Sequence, residues 1–88
     1  MKKGMTKSGF EFEIDEKCLD DMRMLEAISE SMDNPLLFPK VFTMLLGKEQ
    51  KERLYKHLED ENGRVPTAAV SAELNAIFSE MGNTGKNF

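Results

Sequence analysis

Few side chains in this 88-residue chain are of a kind that does chemistry. His57 is its one histidine and Cys18 its one cysteine. A lone imidazole could act as a general base or metal ligand only with partners, and no second histidine supports it. His57 also falls off the apolar positions of its segment, so it reads as a solvated surface residue. Cys18 sits on an apolar stripe with no local cation to lower its pKa, so it reads as a small buried hydrophobe. The carboxylates are scattered along solvated faces. Nothing pairs a nucleophile with a base, two catalytic acids with each other, or a glycine loop with a phosphate. The expectation is a protein that is not an enzyme and carries no cofactor or metal.

Two stretches imitate binding motifs. Between Leu58 and Ala69, Asp60, Asn62, Gly63 and Val65 match the third, fifth, sixth and eighth positions of an EF-hand loop. Leu58 and Ala69, however, stand where its first ligand and bidentate glutamate belong, which removes the main anionic ligands. An Asn-Gly turn between helices is the better description. The segments Phe38–Leu46 and Lys48–Glu61, joined by Gly47, imitate a DNA-binding helix-turn-helix. The second holds Lys48, Lys51, Arg53 and Lys56, but Glu49, Glu52, Glu59, Asp60 and Glu61 lie among them. A recognition helix would bring those carboxylates to the phosphates.

The elements that position these residues are organised around Leu36–Leu46, LLFPKVFTMLL, where Lys40 and Thr43 are the only hydrophilic side chains. At helical geometry its apolar residues cover nearly the whole circumference, which places it in the middle of a core. It is too short to cross a bilayer, which takes about 20 apolar residues. Pro39 disfavours a helical Phe38, so the regular helix is expected to begin at Phe38 or Pro39 after a tighter turn, and to stop at Gly47.

Ahead of it, Phe10-Glu11-Phe12-Glu13-Ile14 alternates strictly, the mark of a half-buried strand. Its partner is either Lys3–Thr6, returning through Lys7-Ser8-Gly9 with Gly9 left-handed, or the same strand of another copy. The local hairpin is favoured because short pairings close cheaply. Asp15 then caps a helix whose stripe is Leu19, Met22, Leu25, Ile28 and Met32, with Cys18 beside it. Asp20, Arg23, Glu26 and Glu30 face water, and Asp21 is an anion near the helix N-terminus. Asn34 can end this helix or cap the next. Lys48–Glu61 is a surface helix with Leu54, Tyr55 and Leu58 inward and the pairs Glu49–Arg53 and Glu52–Lys56 outward. The last helix starts near Pro66–Thr67 and buries Val70, Leu74, Ile77, Phe78 and Met81 before Gly82.

The sum is a mainly α fold: a small bundle of about four helices around a central apolar helix, with a short N-terminal strand or hairpin over about 3–14. Residues 1–81 form one domain and 82–88 a disordered tail. A net charge of −4 provides no basic face for nucleic acid. Lys2 and Lys3 are not followed by an apolar run, so no signal peptide is expected, and the single cysteine fits a cytoplasmic protein without a membrane partner. The 7 methionines mainly fill gaps in the core and also suit adaptable protein contacts.

Three segments in order, Gly9–Asp15 (GFEFEID), Asn34–Gln50 (NPLLFPKVFTMLLGKEQ) and Asp60–Pro66 (DENGRVP), resemble the tail assembly chaperones of long-tailed bacteriophages and prophages of Gram-positive bacteria. The resemblance runs from about Thr6 to Met81. It implies a non-catalytic, cofactor-free protein of the host cytoplasm, absent from the mature virion. Its implied partners are the tape measure protein, which it binds, and the tail tube protein, whose subunits it recruits. An unpaired strand edge would let many copies coat a long partner. Phe10, Phe12 and Ile14 are therefore candidates for a partner or self-association edge in a homo-oligomer, unless they simply cover the helical core. The competing expectation is a small phage or prophage regulator that binds DNA or a host protein through the middle helices.

Overall fold

A computed structural model describes residues 2–80; Met81, Gly82 and the tail expected over 82–88 lie outside the described residues. The chain runs β1 (Lys2–Met5), β2 (Glu11–Ile14), a 3-10 turn (Glu16–Leu19), α1 (Met22–Asp33), a second 3-10 turn (Pro35–Leu37), α2 (Phe38–Leu58) and α3 (Thr67–Glu80). The protein is mainly helical with an N-terminal antiparallel hairpin. Where the sequence reads as about four helices, the described residues form three. The second has two limbs, 38–46 and 48–58, that meet at Gly47.

The hairpin pairs within the chain, with Lys3 opposite Glu13 and Gly4 opposite Phe12. Its loop closes as expected: Thr6 N–H donates to the Phe10 carbonyl at 2.9 Å, and Gly9 N–H to the Thr6 carbonyl at 3.0 Å. Gly9 has φ 92°, the left-handed conformation that a residue without Cβ reaches cheaply. Alternation then turns Phe10, Phe12 and Ile14 inward while Glu11 stays in water.

The first helix departs from expectation. Asp15 caps only the 3-10 turn, accepting from Lys17 N–H at 3.0 Å. At Asp20 the backbone leaves helical geometry (φ −98°, ψ 46°). Asp21 then starts α1 as its N-cap, accepting from Arg23 N–H at 2.9 Å. Two aspartates in a row offer the backbone a side-chain acceptor at the cost of the helical ladder, and the ladder yields. The break resets the phase. Leu19 is buried from the 3-10 turn, but α1 buries Met24, Ala27 and Ser31 in place of the expected stripe. Ile28 and Cys18 are partly buried, Leu25 is half-buried, and Met22 and Met32 are exposed.

Asn34 takes both of the roles that the sequence poses as alternatives. Its N–H donates to the Glu30 carbonyl at the end of α1, and its side chain accepts from Leu36 N–H at the start of the 3-10 turn. Phe38 is helical (φ −54°, ψ −45°) in spite of Pro39. The 38–46 limb buries Phe38, Val41, Phe42, Leu45 and Leu46, with Met44 partly covered. The expected Leu36–Leu46 stretch is not enclosed all round: Pro39, Lys40 and Thr43 are exposed, and Leu36, in the preceding turn, is 85% exposed.

The 48–58 limb turns Leu54 inward, with Tyr55 and Leu58 half-buried. Among the described residues neither Glu49–Arg53 nor Glu52–Lys56 closes as an ion pair. Arg53 instead reaches the hairpin, and Lys56 pairs with Glu59 at 3.7 Å. Exposed pairs contribute well under about 1 kcal/mol, so a modest competing contact redirects them. In the following loop Asp60 Oδ1 accepts from the N–H groups of Asn62 and Arg64, both at 2.9 Å, and Gly63 is left-handed (φ 79°). This is the expected Asn-Gly turn, with the Asp60 carboxylate facing the loop's own amides.

α3 buries Val70, Leu74 and Ile77 as its spacing requires, and also Glu73. α2 lies at the centre, touched by α1, α3 and β2, while β1 rests on α3. Phe42 and Val41 have no exposed surface, each worth roughly 1.5–3 kcal/mol of burial. Among the described residues no helix is long and apolar enough to cross a membrane.

Candidate functional site

The structure brings Phe10, Phe12 and Ile14 together, but inside the core: they are 2%, 3% and 0% exposed. Their side chains cover the helices and are not presented to a partner. Anything that met this strand would have to use its backbone edge.

That edge is partly occupied. Gln50, in the first turn of the 48–58 limb, accepts from Glu13 N–H through Oε1 and donates to the Glu13 carbonyl through Nε2, both at 2.8 Å. One amide side chain thus pairs with β2 as a neighbouring strand would. The same Nε2 donates to the Leu46 carbonyl at 2.8 Å, a group that the kink at Gly47 leaves at the end of the first limb. Sequence reasoning passed over Gln50 because nothing in its spacing marks a glutamine as a strand partner. Around it an open groove of about 850 Å³ runs between Lys3–Met5, Glu11–Glu13 and the kink, with Arg53 at its side. Its charges are mixed: Lys3, Lys48 and Arg53 against Glu11, Glu13 and Glu49.

A second polar cluster fastens the hairpin loop. Ser8 Oγ donates to Glu73 Oε1 at 2.5 Å and lies 3.1 Å from both His57 Nε2 and Thr6 Oγ1. His57 Nε2 also lies 3.1 Å from the Ser8 carbonyl, to which its N–H tautomer donates. His57 is therefore exposed, as expected, yet engaged. Its ring is 5.8 Å from that of Phe10, and the Arg53 guanidinium stands 4.8 Å over the same Phe10 ring. In a hydrolytic relay the imidazole stands between hydroxyl and carboxylate. Here the hydroxyl stands in the middle and donates to the carboxyl, an arrangement that ties β1–β2, α2 and α3 together. Glu73 Oε2 is buried and has no hydrogen-bond partner among the described residues.

Burial pushes the Cys18 thiol above its ordinary value, and the charges of Asp15 and Asp21 push it further. Burial, with Glu52 nearby, raises the Tyr55 phenol likewise. Both shifts favour the neutral, unreactive form. Among the described residues no group of three or more histidine, cysteine or acidic side chains is placed to hold a metal ion. No family model matches the chain, and neither the curated proteins nor the solved structures include one that is significantly similar to it.

Proposed function

We propose that the chain is a tail assembly chaperone of a long-tailed phage or prophage of Gram-positive bacteria. In this reading it is non-catalytic, works in the host cytoplasm and is left out of the finished virion. It covers the tape measure protein and helps recruit tail tube subunits. We read its fold as a small bundle of about four helical segments around the 38–46 limb.

The observation that carries the reading is how the resembling segments sit together. Gln50, at the end of Asn34–Gln50, grips Glu13 in the middle of Gly9–Asp15. Asp60 organises the third segment into the turn between α2 and α3. The resemblance thus falls on the joints of one folded unit, where a family would hold its residues.

The test is to look in the neighbouring genes for a tail tube protein and a very long tape measure protein, whose absence removes the proposal, and to co-express the two with this chain. The expected result is that the tape measure protein stays in the supernatant and co-purifies with this chain. An insoluble tape measure protein, with this chain alone in the eluate, removes the proposal. Salt-dependent retention of duplex DNA by the chain would instead favour a regulator acting through the middle helices.

A further inference from the structure

The core does not use all of the apolar surface of α1. Met24, Ala27 and Ser31 point inward onto α2, while Leu25 is half-buried and Met32 is 61% exposed. Leu25 and Met32 stand two turns apart on one flank, beside the partly covered Ile28. Leu36, 85% exposed, continues the apolar surface at the Met32 end, in the 3-10 turn that packs against α1. Side chains spaced in this way form a ridge that fits the groove of another helix.

One side of this ridge is acidic: at about 100° per residue, Asp33 and Glu26 follow Ser29 and Met22 around α1 from Leu25. Residues 15–33 hold seven carboxylates against two basic side chains, while the rest of the chain has nine acids against ten bases. All of the net negative charge therefore belongs to this one segment. Asp20, Asp21, Glu26, Glu30 and Asp33 are exposed, and among the described residues none of them forms an ion pair. A second copy docked here would set one acidic border against another. A basic helix would neutralise it, and complementary charge of this kind governs encounter and partner choice.

We infer that the α1 flank Leu25–Met32–Leu36 is a docking surface for an amphipathic helix of another protein, apolar on one face and bordered by lysine or arginine. The inference deepens the chaperone reading and rests on it only for which protein supplies the helix.

The probe is a synthetic 21-residue helix of leucine and lysine, fluorescently labelled and followed by anisotropy against the full chain. Controls are a scrambled peptide of the same composition and a leucine–glutamate helix. The expected result is saturable one-to-one binding that weakens as salt rises, with neither control bound. Met32→Ser with Leu36→Ser should weaken binding about tenfold. Glu26→Lys with Asp33→Lys should weaken it and confer binding of the leucine–glutamate helix, whereas Glu59→Lys should change nothing. All five side chains are exposed, so unchanged circular dichroism and urea midpoints certify folding. Equal binding of the scrambled peptide, or full binding by the serine pair, overturns the inference. So does a dimer of the chain that the serine pair dissolves, since the flank would then belong to a second copy. Tape measure binding that survives the serine pair, while the leucine–lysine helix is lost, means that another protein supplies the helix and leaves both this surface and the chaperone reading standing. If the unaltered chain ignores the tape measure protein but binds the leucine–lysine helix as described, the chaperone reading fails and this surface stands.

Discussion

Gln50 holds both backbone groups of Glu13, accepting from its N–H and donating to its carbonyl, each at 2.8 Å. A side chain has taken the place of a third strand, and it blunts an edge that would otherwise invite pairing with another copy. The same amide serves the Leu46 carbonyl at the kink, so helix and hairpin are joined at one point.

Gln50→Leu should therefore cost about 1–3 kcal/mol, the usual penalty for stranding part-buried polar groups. It should also increase self-association through the uncovered edge. Gln50→Glu keeps the bond from Glu13 N–H but sets a carboxylate against two carbonyls. Its loss should ease as pH falls and the carboxyl gains a proton to donate. Urea unfolding and sedimentation of both variants at two pH values check this; wild-type stability in both would remove the joint.

Gly47 makes the kink with φ 83° and ψ 162°, a region almost closed to residues with a Cβ. An added Cβ meets nothing within 4 Å, so the cost of Gly47→Ala is conformational and not steric. About 1–3 kcal/mol should be lost in urea melts. Alanine also favours helix, so far-UV circular dichroism should rise if the two limbs straighten into one.

The helical content, the hairpin with Gly9 and the stop at Gly47 were all legible, because each rests on local backbone preference; Asn34 was legible as a cap, but not as one serving both helices. The face of α1 was not. Periodicity finds an apolar stripe, but Asp20 and Asp21 break the helix between Leu19 and Met22 and rotate α1 relative to the turn before it. A reading that carries one phase through that break buries Met22 and Met32, which the fold leaves outside. Glu73 and Gln50 were illegible for a different reason. Their partners lie 65 and 37 residues away, and no local pattern announces such a meeting. For Phe10, Phe12 and Ile14 the alternation revealed a buried face, but could not say whether helices or another chain would cover it.

Gly4 faces Phe12 across the hairpin, and a Cβ there would come within 2.6 Å of Phe12 Cζ. The ring is 3% exposed and has little room to retreat. Gly4→Ala should therefore destabilise by about 1–3 kcal/mol through overpacking. In the Phe12→Leu background the same change should cost clearly less. A double-mutant cycle by urea unfolding measures this coupling. Simple additivity would mean that the two positions do not share the space.

Among the described residues Ser8 supplies the one hydrogen bond to the buried Glu73 carboxyl, and the second oxygen has no partner. Ser8→Ala should cost about 1–3 kcal/mol, since it strands the group that it leaves behind. Adding Glu73→Met to Ser8→Ala should recover most of that loss, because a buried polar group without partners is worse than an apolar one of similar size. If the double variant is no more stable than Ser8→Ala alone, the loop is held by something other than this contact.

Cys18 tests the electrostatics of the acidic segment directly. Burial, followed by Asp15 and Asp21, raises its thiol above the ordinary value, so alkylation of the folded chain should reach half its plateau rate at a higher pH than alkylation of the unfolded chain. In denaturant the midpoint should return to ordinary. Because the folded value is the higher one, the thiol's contribution to stability is present below about pH 9 and is lost as pH rises through the folded value. Asp21→Asn removes a charge and keeps an N-cap, since asparagine caps about as well as aspartate. It should lower the alkylation midpoint, but by less than unfolding does, because burial is the larger cause. A midpoint in the folded chain no higher than that in denaturant would mean that Cys18 senses neither burial nor the two neighbouring carboxylates.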